Sequence, residues 1–382
     1  MAISRPWYDD WKRQCDLALQ YLVAWEHINN VNLDIAHDPH QTADYLKVWR
    51  KVRDEVYSNV AISKDAPLEK EASNFSMASI MRLIFESNLL EKAGLSESDT
   101  KKLIRENDLF SDQAKTYRFT MAQIKKYEQY LQSSKSTRQI AIFQNRKKSY
   151  REVLLHFLAI EYSKICVKQY WVRLSKENIY LASITDRNYR HMIAPQSPLE
   201  TIKRRHKHPF LFSERIIRQL HFLMANGLIS MKDSGVEAGC YRIDARTTDF
   251  QTVFTAWENI PRAMKHFVQE SNDIMEYDED PILKAAHISY NFVAIHPFPD
   301  FNGRMSRLIM NMVLMAEGLP FFAALRGNKK DKHRYVTALR HANRGKITSY
   351  ACLIARAVNE GFEQLNRNLE RAGLPVIEPA RD

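Results

Sequence analysis

Turn-forming residues are scarce in this chain, and that scarcity limits its fold more than any other feature. Across 382 residues there are 10 glycines and 13 prolines. A sandwich or barrel of short strands needs a tight turn every few residues, and glycine supplies most of them. An all-β architecture is therefore excluded. Hydrophobic residues make up 45% and charged residues 26% of the chain. That balance is globular and excludes wholesale disorder. The length is enough for about two to three domains.

Apolar residues recur three and four apart through most of the sequence, the period of an amphipathic helix. Residues 10–29 and 41–58 carry this pattern, so 1–75 reads as an N-terminal helical subdomain with a linker at 63–73. A helix is expected from Ser76 to about Ala93. Its apolar set is Met77, Ile80, Met81, Ile84, Phe85 and Leu89, and Gly94 is a natural stop. Residues 100–148 are polar and charged, with helix-like patches. Residues 149–165 and 212–228 read as two more helices. Only GVEAGCYRIDARTTDF, 235–250, breaks the pattern, and it reads as a hairpin or flap. The fold class is all-α with one small β element.

The N-terminus lacks the apolar run of a cleaved signal peptide, and no stretch reaches the roughly 18 to 20 apolar residues of a membrane span. Cys15, Cys166, Cys240 and Cys352 lie far apart and form no CxxC pair, as reduced thiols would. A cytoplasmic protein is expected, or one exported without a cleaved signal. The formal charge of +11 allows an anionic partner or a merely basic surface. The basic runs at 145–148, 203–205 and 329–332 read as solvated faces, with nucleic acid the weaker alternative. His206 and His208, like His37 and His40, read as loop residues, because no acids or cysteines stand at ligand spacing.

The stretch HPFPDFNGRMSR, 296–307, carries the chemistry. Pro297 and Pro299 disfavour helix, so the preceding helix should end near His296. Asn302 is a good N-cap for a second helix, which carries Met305, Leu308, Ile309, Met312 and Ala316 on one face and ends at Gly318. A loop at the positive end of that helix is a ready phosphate site. Arg304 and Arg307 share its first turns, where cations oppose the helix dipole unless an anion binds between them. Asp300 suits a Mg²⁺ ion held against phosphate oxygens, and His296 suits a general base. Each feature alone has an ordinary explanation: a buried histidine, a simple turn. Together, at this spacing, they make a phosphoryl- or nucleotidyl-transfer constellation.

The stretch closely resembles the Fic family signature, HPFx(D/E)GNGRxxR. Every fixed position matches except Phe301, which stands where the family usually has glycine. HISYNFVAIHPF resembles the family's lead-in helix, RLIMNMVLMAEGLPFF the helix that follows, YVTALRHANRGKITSY its closing helix and REVLLHFLAI an early core helix. The resemblance covers about residues 76–360 and implies a Fic-fold helical bundle over 76–382. Its core would lie at about 210–360, with an insertion at about 100–148 and a small β-hairpin flap.

The implied activity is transfer of AMP from ATP to a Ser, Thr or Tyr hydroxyl of a target protein. By position, His296 would take the hydroxyl proton and Phe298 would anchor the loop. Asp300 would bind Mg²⁺ or Mn²⁺, and Asn302 and Gly303 would form the anion hole. Arg304 and Arg307 would hold the phosphates, and Tyr335 and Asn343 would line the nucleotide pocket. The flap at 239–249 would pair with an extended target segment. No membrane partner is implied, and a homodimer stays open.

Ser87-Asn88-Leu89-Leu90-Glu91-Lys92 resembles the family's inhibitory pattern, (S/T)xxxE(G/N), except at Lys92. Ser87 and Glu91 are four apart, hence on one helical face. By resemblance Glu91 would pair with Arg307 and remove the arginine that a γ-phosphate needs. Two other outcomes remain within the family: removal of AMP from a modified protein, and transfer of another phosphate-containing group because of Phe301. A catalytically silent module that binds a nucleotide or partner is the alternative of another class.

Overall fold

The computed structural model of the chain describes residues 67–106, 125–126, 129, 137–172, 212–245, 247–248, 252–276, 280–374 and 376. Within them α1 spans Pro67–Leu90, α2 Glu97–Glu106, α3 Thr137–Val172, α4 Glu214–Ala225 and α5 Ile260–Glu276. The later helices are α6 Pro281–Ile295, α7 Asn302–Ala316, α8 Lys329–Asn343 and α9 Thr348–Arg371. A single helical turn, Met231–Ser234, and a two-strand hairpin lie between α4 and α5. The expected subdomain at 1–75 lies outside the described residues up to position 66.

The bundle is built round α7. All of its residues except Gly303 and Met315 are buried. The sequence suggests one apolar stripe, yet the helix is enclosed on every side, as a central helix must be. Its antiparallel neighbour α6 packs along it most extensively, and α3 and α1 cover further faces. Helix α6 is delimited by local chemistry. The Asp280 side chain accepts from the N–H groups of Ile282 and Leu283, and Pro281 needs no donor partner in the first turn. At the other end His296 turns left-handed, at φ 53° and ψ 58°, and Pro297 bars continuation.

Several boundaries differ from the sequence reading. Helix α1 begins at Pro67, inside the expected linker, because proline suits a first helical turn and LEKEA favours helix. The helix-like patches expected in 100–148 are, among the described residues, the end of α2 and the first part of α3. That part of α3 is polar because residues 146–151 stay at least partly exposed and burial begins at Glu152. The β element is smaller and later than expected. It pairs Thr247 with Val253 and Thr248 with Thr252, antiparallel, whereas 235–245 forms turns. No described helix is long and apolar enough to cross a membrane.

The chain after α7 folds back over it. Gly318, at φ 108°, closes the helix, and the Leu319 N–H reaches the Leu314 carbonyl at 2.8 Å. Asn311, fully buried in α7, then clamps the returning strand-like segment. It accepts from the Ala323 N–H at 2.7 Å and donates to the Ala323 carbonyl at 3.0 Å. Replacing it with alanine leaves two buried backbone groups unpaired. Asn311→Ala should lower unfolding stability by about 2–4 kcal/mol, read from urea denaturation.

Candidate active site

The turn from α6 into α7 brings the motif residues together. His296 donates its backbone N–H to the Phe292 carbonyl, and its ring stacks on Phe254 at 3.9 Å. Its own carbonyl accepts from Arg242 Nε at 2.8 Å. Arg242 is 2% exposed and also donates to the carbonyls of Asp244 and Thr255. Its backbone N–H reaches the Pro297 carbonyl at 3.0 Å. One arginine thus ties the segment before the hairpin, the segment after it, and the histidine loop.

Phe298 is fully buried and lies flat on His221, with centroids 3.8 Å apart. His221, on α4, accepts the Gly239 N–H on Nδ1, so its proton sits on Nε2 and is donated to the Asp300 carbonyl at 3.1 Å. Burial pushes its pKa down to about 3, reinforced by Arg304, against the opposing pull of the Asp300 carbonyl. The imidazole is therefore a neutral strut between the turn at Gly239 and the loop at Asp300.

Asn302 is not the N-cap that the sequence suggests. Phe301 takes that position, with φ 68°, and Asn302 is the first helical residue. The Asn302 side chain instead closes the loop, accepting the Phe298 N–H at 3.0 Å and donating to its carbonyl at 2.7 Å. Only its backbone N–H is then placed for an anion. Phe301 carries a left-handed backbone that glycine would adopt without strain. Its ring turns inward, 3% exposed, edge-on to His221 and 3.6 Å beneath the Arg304 guanidinium.

The two arginines diverge rather than share one anion. Arg304 is 3% exposed and pairs with Glu152 at 3.3 Å. Arg307 is fully buried against the end of α1. Its Nε donates to Ser87 Oγ at 2.9 Å, and its Nη2 reaches the Ser87 carbonyl at 2.9 Å and Glu91 Oε1 at 2.7 Å. Burial would raise the Glu91 pKa, but Arg307 outweighs it and holds the carboxyl below its ordinary value. Gly303 matters here: a Cβ at that position would collide with Glu91 Oε1. The carboxylate therefore lies against the first turn of α7, where an anion would sit.

Tyr335 is buried beside Arg307, with its hydroxyl 3.5 Å from Nη1. Burial raises its pKa, so the phenol stays neutral. Asn343 ends α8 and accepts from the Tyr290 hydroxyl at 2.8 Å. Asp300 is exposed, with Oδ1 accepting the Phe301 N–H at 2.6 Å. Among the described residues no group of three or more His, Cys, Asp or Glu side chains could hold a metal ion. A single exposed carboxylate still suits Mg²⁺, which keeps several waters and takes its other ligands from phosphates.

Glu152, His221 and Arg242 escape a reading of the sequence. Glu152 heads an apolar run and His221 interrupts one, and such buried polar positions are the available signal. Arg242 leaves none, because it reads backbone carbonyls. A neutral buried histidine binds a proton more readily in the unfolded chain, so stability falls as pH drops below about 6.5 towards 3. His156, also pushed well below its ordinary value by burial and by Arg304, acts in the same direction. Urea midpoints measured against pH should show this acid loss. His221→Gln should flatten the slope by up to about 1.4 kcal/mol per pH unit.

Known proteins resemble this chain over the region that holds the motif. Residues 211–314 match the Fic/DOC family. A fido domain-containing protein of Dictyostelium discoideum is 36% identical over 129 residues, covering 32% of this chain and 87% of that protein. A protein adenylyltransferase Fic of Nematostella vectensis is 36% identical over 132 residues, 34% of this chain and 29% of that one. The same-named protein of Aedes aegypti is 39% identical over 92 residues, 24% of this chain and 18% of that one. The chain thus spans less than a third of the length of these two adenylyltransferases. The crystal structure of a Fic domain-containing signaling protein from Bacteroides thetaiotaomicron shares the fold. Its TM-score is 0.53 at 16% identity, covering 89% of this chain and all of that one. The motif loop, the helix it opens and these relatives together identify the chain as a member of the Fic/DOC family.

Proposed function

We propose that the chain transfers AMP from ATP to a hydroxyl of a target protein and is restrained by its own Glu91. The observation that carries this reading is the Glu91 carboxylate against Gly303 and Arg307, at the helix terminus where a phosphate would bind. Relatives named protein adenylyltransferase Fic support the reaction class.

The side chains divide the work as follows. The His296 ring takes the proton of the acceptor hydroxyl while that oxygen bonds to the α-phosphorus of ATP. The bond from the α-phosphorus to the bridging oxygen breaks, and pyrophosphate leaves. The N–H groups of Asn302 and Gly303 face the charge that builds on the phosphate. Arg307, once parted from Glu91, meets the terminal phosphate, and Arg304 lies one turn away. Asp300 would hold a Mg²⁺ ion, which neutralises phosphate charge. The hairpin at 247–253 would pair with an extended target segment and bring its hydroxyl into line. The ring of Phe301 is buried beneath Arg304 and does not project from the loop, which is compatible with ATP as donor.

Release of the brake is the test. Wild type, Glu91→Gly and His296→Ala are incubated with labelled ATP, GTP, CTP, UTP or CDP-choline and a cell lysate. A charge-assisted hydrogen bond is worth about 1.5–3 kcal/mol, so labelling from ATP should rise roughly 10- to 100-fold in Glu91→Gly. It should vanish in His296→Ala. No labelling from any donor in Glu91→Gly would refute the transferase reading. Removal of AMP from pre-modified protein, lost in Glu91→Gly, would favour the reverse reaction.

A further inference from the structure

We propose that a second lock holds Arg304, formed by Glu152, Phe301 and Asn88 and closed by the same segment that carries Glu91. It deepens the transferase reading and rests on it. Glu91 occupies only one of the two motif arginines. The other is held by different groups, and one of them is the residue at which this loop departs from the family signature.

The geometry is a cage. Arg304 Nη1 lies 3.3 Å from Glu152 Oε1 and 3.4 Å from Asn88 Oδ1. Its guanidinium carbon stands 3.6 Å over the centre of the Phe301 ring, close enough for a strong cation–π contact. Glu152 is 2% exposed, so the pair is shielded from water and screened little by salt. The other oxygen, Oε2, accepts the Gly94 N–H at 2.9 Å. A single carboxylate on α3 therefore joins a phosphate arginine to the turn that follows α1.

That turn is shaped for close approach. Lys92 and Gly94 take φ values of 56° and 78°, and the Ala93 N–H returns to the Asn88 carbonyl at 2.9 Å. A Cβ on Gly94 would stand 2.8 Å from the Asn88 Cβ, so only glycine brings its N–H to Glu152 while Asn88 reaches Arg304. Ser87, Asn88, Glu91 and Gly94 thus address both arginines within eight residues of chain. The cage is not fully satisfied. Arg304 Nε, Asn88 Nδ2 and His156 Nδ1, the last one turn beyond Glu152, are buried without hydrogen-bond partners. A lock with unmet polar groups costs less to open than a complete one.

Removing Glu91 therefore releases Arg307 and leaves Arg304 held. The Glu91→Gly protein should bind ATP with only one of its two arginines available.

The test compares Glu91→Gly with Glu91→Gly/Glu152→Gln and Glu91→Gly/Phe301→Gly in the full chain. ATP affinity is measured by titration calorimetry, with KM and kcat from labelling. Glutamine keeps an acceptor for Gly94 and removes the negative charge that faces Arg304. The Phe301→Gly change removes the ring and leaves every charge in place. Each double variant should show Kd and KM for ATP lower by about 3- to 10-fold, with kcat changed less than about twofold. Unchanged or weaker ATP binding in Glu91→Gly/Glu152→Gln overturns the proposal, and weaker binding would instead make Glu152 a group that positions Arg304 for catalysis. Should that variant not fold, judged by its melting transition, Glu91→Gly/Phe301→Gly decides by the same criterion. Absence of labelling in Glu91→Gly itself speaks against the transferase reading, whereas ATP affinity in the double variants speaks only to the lock.

Discussion

Two guanidinium groups lie inside a helix bundle, and everything around α7 answers to that fact. Arg307 has no exposed surface and Arg304 almost none. An arginine cannot shed its proton to escape burial, so it must be given acceptors. Arg307 finds them in the hydroxyl and carbonyl of Ser87 and the carboxylate of Glu91. Arg304 finds Glu152 and the side chain of Asn88. Most of these acceptors come from the end of α1, which lies more than 200 positions earlier in the chain. The site thus draws its own upstream segment across itself. Cations proposed to meet a phosphate are the same cations that require a carboxylate when no phosphate is near.

This balance differs from that of an ordinary structural ion pair. A pair that only stabilises the fold is best enclosed on both sides. Here Arg307 is wholly enclosed, while about a third of the Glu91 side chain meets solvent. The carboxylate is the partner that can leave, since water stands ready to take it. The Arg304–Glu152 pair is enclosed on both sides, so its opening requires the α1 turn to shift as well.

What the sequence makes legible is what local chemistry controls. The end of α6 follows from Pro297 and the start of α7 from the loop before it; Ser87 and Glu91 both reach Arg307, although Glu91 stands one residue past the end of α1 rather than on its face. Fold class follows from scarce turn residues and helical period. What stays hidden depends on contacts between segments far apart. Phe301 is visible as a departure, but whether its ring points outward or beneath Arg304 is a matter of packing. Asn302 has the right chemistry for a cap, and the tertiary fold uses that chemistry to close the loop on Phe298 instead. Glu152 and His221 sit within apolar runs, and only the folded state reveals what each one touches.

Arg242 has a different kind of reach. Its hydrogen bonds go to the backbone carbonyls of His296, Asp244 and Thr255. Every amino acid supplies that same carbonyl, so the anchor is blind to the side chains it holds in place. Residues of the hairpin can therefore be exchanged over evolutionary time without disturbing the spacing between hairpin and histidine. A scaffold anchored in this way keeps its spacing whatever side chains it carries.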